Sequence, residues 1–280
     1  NPASFILGAG ASKEQIAALT QELGLDRPLP VQYVDWMRNA VQGDFGQSST
    51  SNMPAIDAVL RALPVTLSVA VVSLFLTIVL GIGLGLLAAV KEGFWDRLTQ
   101  GLCSLAMAVP VFWLAALLIY LLAIKTDMFY ATDYVPLTES PQLWILHVML
   151  PALAIGLTTM GQVAFHARAS FRDVLTRDFL RTLRATGLSR RRILVKHVLR
   201  NGLIPVVTVL GMTFVFMLGG VVIIEAIFSL PGLGALMIQS VNTHDVAVVQ
   251  TAVVAFTILV IAANLVTDLM VAGLDPRARA

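Results

Sequence analysis

The chain has one cysteine, four histidines and few charges, 13% of its 280 residues. A single thiol, Cys103, in the middle of an apolar run makes no disulfide within the chain and gives no argument for a nucleophile. His147, His166, His197 and His244 have neither metal-ligand spacing nor an evident common face, so a structural or silent role is expected for them and for Cys103. A nucleotide-binding loop is missing too. In the stretch from Gly8 to Lys13 the lysine stands between Ser12 and Glu14, whereas a Walker A lysine follows glycine and precedes Ser or Thr. These absences argue against a membrane enzyme and against nucleotide hydrolysis by this chain.

What the chain does have is apolar length. Uncharged runs cover 62–90, 98–124, 140–165, 201–224 and 246–267. Each meets or exceeds the roughly 20 residues a helix needs to cross the hydrocarbon core. With 57% hydrophobic residues, the chain reads as an all-α polytopic membrane protein with five spans. Gly81, Gly83 and Gly85 lie inside the first run, where small residues let helices approach closely, so packing is expected rather than dinucleotide binding. Pro110, Pro151 and Pro205 lie within or at the start of runs and are expected to kink them.

Orientation follows from lysine and arginine, which are retained in cytoplasmic loops. Ten basic residues between Arg168 and Arg200, against Asp173 and Asp178, give that loop a net charge of +8. Lys91 and Arg97, and Arg277 and Arg279 of the tail, fall on the same side. Residues 1–57, with three basic residues against six acids, are placed outside, and 58–280 form the membrane domain. A chain beginning outside with Asn1 is expected to continue upstream into a further span, making six, with a cleaved signal peptide as the alternative. Within the outer segment a capping box of Ser12 and Gln15 opens one short helix, and a second runs from Pro30 past Trp36 and Met37 to Gly43. After the fourth run, Pro231, Gly232 and Gly234 break the helix before a short apolar one.

The basic loop, 169–201, carries more than charge. Phe171, Val174, Leu175, Phe179 and Leu183 recur at helical spacing, which predicts one helix face. Gly187 is the expected stop, because glycine takes positive φ without a side-chain penalty. Ser189 is expected to cap a second helix through Ile193, Leu194 and Val198. Charge alone would be explained by topology or anionic lipid. The folded pattern, helix, turn, helix with an apolar edge, is what a docking element for another protein requires. Glu225 and Asp268 are ionisable groups at span ends, where a water-accessible or hydrogen-bonded structural carboxylate is the first expectation.

The stretch from Arg181 through Thr182, Leu183, Arg184, Ala185, Thr186, Gly187 and Leu188 to Ser189, followed by 196–211, resembles the cytoplasmic EAA loop of bacterial ABC importer permeases. Within that family it is similar to the dipeptide and oligopeptide branch. Residues 219–234, containing Glu225, Pro231, Gly232 and Gly234, resemble the same branch, as do 264–268, 274–277, 23–33 and 43–48. Arg181, Thr182 and Leu183 stand where the general pattern has Glu-Ala-Ala, and His197 to Arg200 where it has Ile-x-Leu-Pro. The resemblance implies a type I ABC importer transmembrane domain in the bacterial inner membrane, five spans present here and the first upstream.

It also implies an ATPase-coupling loop of Phe179, Arg181, Leu183, Arg184, Ala185, Gly187, Leu188, Ser189, His197 and Leu199. Glu225, Pro231, Gly232 and Gly234 become a periplasmic gate. The implied partners are a homologous second permease, two ATPase subunits that carry ATP and Mg, an extracytoplasmic substrate-binding protein and membrane lipid. No cofactor, metal or nucleic acid is expected on this chain. The implied function is the translocation path for peptides or similar small solutes, in a branch that also serves nickel and glutathione uptake. A lone ion-coupled carrier or channel is the alternative, disfavoured because ionisable groups are missing near the midplane.

Overall fold

The computed structural model describes residues 7, 10–22, 24 and 26–274. Asn1, Gly8, Leu23 and residues 275–277, as well as Arg279, lie outside the described residues. Apart from one antiparallel bridge between Gln47 and Pro54, the described regular structure is helical. The chain forms two compact units, Asn1–Val65 with Pro231–Ile258, and Thr66–Leu230 with Leu259–Ala280.

In the first unit, α1 (Lys13–Glu22) starts with the expected capping box. The Ser12 N–H donates to Gln15 Oε1 at 2.9 Å and the Gln15 N–H to Ser12 Oγ at 3.3 Å, which satisfies two helix-end donors reciprocally. Hydrogen bonds from its own backbone N–H and from Ser12 hold the neighbouring Glu14 carboxyl below the ordinary carboxylate pKa. The second short helix, α2 (Leu29–Val41), ends where Gly43 adopts φ 86°. There the Asp44 N–H bonds Asn39 O and the Gly43 N–H bonds Ala40 O, a Schellman closure. Ser48 Oγ donates to Asp245 Oδ2 at 2.5 Å, and that carboxylate is buried. After the expected break, α9 (Leu233–Asn242) starts from Gly232.

Among the described residues, four unbroken helices are long and apolar enough to cross a membrane: α3 (Ala55–Val90), α6 (Pro141–Thr176), α8 (Arg190–Ile227) and α10 (Val246–Leu274). The run at 98–124 is not one straight span. It forms α4 (Phe94–Ala108) and α5 (Val111–Ile124), bent by 98°. Pro110 supplies the cause: its ring removes a backbone donor and drives Val109 out of the helical region, to φ −81° and ψ 124°. Counted as one crossing, the pair makes the fifth. Pro151 and Pro205 stay inside continuous helices.

In the second unit α6 is the helix on which the others assemble, packing against α4, α5 and α8. Small residues set the distance to α3. A Cβ on Gly85 would stand 2.6 Å from Ala167 Cβ, and one on Gly81 2.9 Å from Val163 Cβ. Gly83 does not share this role, since it faces open space. Glycine spaced by four on one face allows the close approach that membrane helices use instead of bulk hydrophobicity.

Candidate functional site

The basic loop is built between two long helices that outrun their apolar segments. The apolar run that ends at Phe165 belongs to α6, which continues to Thr176; α8 begins at Arg190, well before the run that starts at Asn201. Between them lies α7 (Asp178–Ala185). The expected second helix is therefore the first turns of α8, with a widened π segment at Leu194–Val198. Nor is the expected first helix single. Arg177, at φ −69° and ψ 141°, breaks the chain between α6 and α7.

That break resets the helical face. Phe171 and Val174 are buried on α6 as the periodicity required, but on α7 it is Leu180 that is fully buried, while Phe179 turns outward and is 39% exposed. Leu180 joins Phe171, Val174, Ile193 and Val198 in one cluster, with Leu183, Leu188 and Leu199 packed on its edge. Of the five-residue apolar edge, Phe171, Val174, Leu175 and Leu183 face the cluster, while Phe179 turns outward and Leu180 takes its place.

Gly187 has φ 79°, as its position required. The Leu188 N–H bonds Leu183 O at 3.4 Å and the Gly187 N–H bonds Arg184 O at 3.1 Å. This is a Schellman turn, and its usual apolar partners, here Leu183 and Leu188, both pack on the cluster. Ser189 does not cap through its side chain; its carbonyl accepts the first helical bond, from the Ile193 N–H at 3.0 Å. The outer face of the turn presents Phe179, Arg181, Arg184, Ala185 and Ser189, all exposed, while His197 is half-buried.

Charges on this loop fall into two groups. Arg177 pairs with Asp173 at 2.7 Å and Arg181 with Asp178 at 3.3 Å, both pairs well exposed. Arg184, Arg190, Arg191 and Arg192 form no ion pair among the described residues. A cleft of about 450 Å³ opens between Ala89, Glu92, Arg172, Arg184 and Arg190. Helical periodicity does not reveal Asp96, Arg168 and Arg172, which interlock by hydrogen bonds of 2.6–2.9 Å behind the loop. Two arginines spaced by four, and one acid just ahead of an uncharged run, are the signals that the sequence carries for them.

The residues expected at the gate are placed as follows. Glu225, in the last turn of α8, is fully buried, and Thr66 Oγ1 donates to its Oε1 at 2.5 Å. A hydrogen-bonded carboxylate is what the span-end position suggested, although it is not exposed to water here. Pro231 is exposed, and Gly232 and Gly234 are buried at the start of α9. Asp268 is exposed on α10. His147 stacks on Tyr130 with ring centroids 4.5 Å apart and engages Leu143 O through Nδ1.

Residues 81–280 match the family described as binding-protein-dependent transport system inner membrane component. Residues 1–70 match the N-terminal family of the same transport systems. The glutathione transport system permease protein GsiC of Escherichia coli (strain K12) is 37% identical over all 280 residues, which span 89% of that protein. A protein of Sinorhizobium fredii named as a probable peptide ABC transporter permease, y4tP, is 34% identical over the whole chain and 90% of its own length. Among solved structures, an inward-facing MetNI methionine ABC transporter superposes with a TM-score of 0.64 at 17% identity, covering 79% of this chain and 97% of that one. That likeness speaks for the fold. The relatives, and the family match across both halves, disfavour a lone carrier: this chain belongs to the family of binding-protein-dependent transport system inner membrane components, the permease subunits of ABC importers.

Proposed function

We propose that this chain pairs with a homologous second permease to form the path by which peptides, or small solutes like them, enter the bacterial cytoplasm. Two ATPase subunits carrying ATP and Mg would drive it, and an extracytoplasmic binding protein would deliver the solute. The peptide assignment is supported by relatives named for peptide and glutathione transport at 34–37% identity over the full chain. The observation that carries the mechanism is α7: a short helix with an apolar inner face, an exposed Phe179 and arginine outer face, and continuous helices at both ends. The excess of arginine supports a cytoplasmic position for this element.

Closure of the ATPases around ATP would displace α7. Because α7 is packed through Leu180 and Leu183 against α6 and α8, the displacement passes to helices of 36 and 38 residues that are long enough to cross the membrane. Coupling is mechanical and no bond is made or broken in this subunit. In this reading Glu225, Pro231, Gly232 and Gly234 serve the gate toward the binding protein. The test is reconstitution of the permease pair with its ATPases and binding protein in liposomes. ATP-driven entry of glutathione or a labelled tripeptide, lost when the ATPases are left out, is the expected result. Entry without ATPases that follows a proton gradient would overturn it.

A further inference from the structure

Behind the coupling loop lies a charged cluster that docking of an ATPase does not require. Asp96, in the first turn of α4, is 8% exposed. Arg168 grips it with both ends of its fork, Nε to Oδ1 at 2.6 Å and Nη2 to Oδ2 at 2.9 Å. Arg172, one turn further along α6, adds Nη2 to Oδ2 at 2.9 Å, and Gln100 donates to Oδ1 at 3.1 Å. Two arginines on one carboxylate, one of them bidentate, fix direction as well as distance.

The position of the cluster gives it a mechanical meaning. The same two helices touch again where Gly161 of α6 meets Cys103 of α4; a Cβ on Gly161 would stand 2.7 Å from the Cys103 carbonyl oxygen. Asp96 and Cys103 are one heptad apart on α4, and Gly161 and Arg168 are one heptad apart on α6. A heptad returns close to the same helix face, so both contacts lie on one antiparallel seam. Packing along this seam holds α4 against α6, and the bidentate pair at Asp96 adds a directional contact at the end of the seam that lies toward α7.

Arg172 stands about 7.5 Å along the helix from the break at Arg177, taking 1.5 Å per residue, so the cluster ties α4 to α6 close to the start of α7. Resting on the permease reading above, we propose that Asp96 is a positioning residue for transport. It ties the first arm of the bent pair to α6, so that motion of α7 is passed to α4 and not lost as bending of α6.

The test uses the whole reconstituted transporter and reads glutathione or labelled tripeptide moved per ATP hydrolysed. Asp96→Asn should keep ATP hydrolysis while that ratio falls roughly 2- to 30-fold, the range for residues that modulate coupling between sites. Asp96→Glu, which keeps the carboxylate, should restore most of it. Arg172→Gln leaves the bidentate pair intact and should give an intermediate ratio, which keeps the proposal testable if Asp96→Asn does not assemble. A merely structural tie would lower the yield and thermal stability of the complex but leave the ratio unchanged in what survives, and that result overturns the proposal. A wild-type complex that moves neither solute at the expense of ATP overturns the permease reading, and the tie's role falls with it.

Discussion

The tip and the root of the basic loop each depend on a glycine, for opposite reasons. At the tip, a Cβ on Gly187 would meet nothing within 4 Å, yet φ is 79°. At the root, Gly202 sits in a continuous helix, but a Cβ there would stand 2.4 Å from Phe171 Cδ1, and Phe171 is fully buried. Ser170 Oγ also donates to Gly202 O at 2.8 Å, drawing α6 and α8 together at the same level. The tip is constrained by backbone conformation and leaves its surface free. Volume constrains the root, which fixes the loop to the bundle.

The largest effect should come from emptying the root. Phe171→Ala removes a fully buried aromatic from the cluster, and such truncations cost about 3–5 kcal/mol. Thermal unfolding of the detergent-solubilised protein should show a marked loss of stability. Next, Gly202→Val forces a side chain into the Phe171 ring, with an overpacking cost of about 1–3 kcal/mol. Combining the two should sharpen the comparison. If the clash is the whole cost of Gly202→Val, the double variant should be more stable than the sum of the single losses predicts. Strict additivity would mean that Phe171 is not what the valine meets.

At the tip the loss should be functional. Gly187→Val imposes roughly 1–3 kcal/mol of strain at a positive φ, with no steric neighbour to add to it. Unfolding of the bundle should change little, while co-purification of the ATPases and ATP-driven uptake decline. Gly187→Ala should be milder. Normal ATPase association in Gly187→Val would remove the turn from the coupling path.

Much of the tip was legible because its signals are local. A Schellman turn needs glycine at one position and apolar residues at two others, and Leu183, Gly187 and Leu188 supply them within one short stretch. The Ser12 and Gln15 box and the turn at Gly43 were legible for the same reason. The break at Arg177 was not, since neither glycine nor proline marks it. Burial of Leu180 against Phe171, Ile193 and Val198 accompanies that break, and it is a tertiary choice. Pro110 announced a kink but not its size, because a proline marks where a helix breaks and does not set the 98° between its two arms. Asp96 and Arg168 meet across 72 residues, beyond the reach of any helical period.

The smallest effect should come from the exposed pair beside the break. Arg177 and Asp173 are 2.7 Å apart and joined at i,i+4, but their side chains are 57% and 64% exposed. Water already solvates both ends, and holding the arginine in one geometry costs entropy, so an exposed i,i+4 pair contributes at most about 0.3–0.5 kcal/mol. Asp173→Asn should therefore shift unfolding only slightly, and still less as salt is raised, because exposed charges are screened. Arg177 would remain free to meet an acidic partner. If Asp173→Asn weakened the assembled transporter as much as Gly187→Val, the pair would have to be shielded from water by the docked ATPase, and the tip would be defined by its charges as much as by its turn.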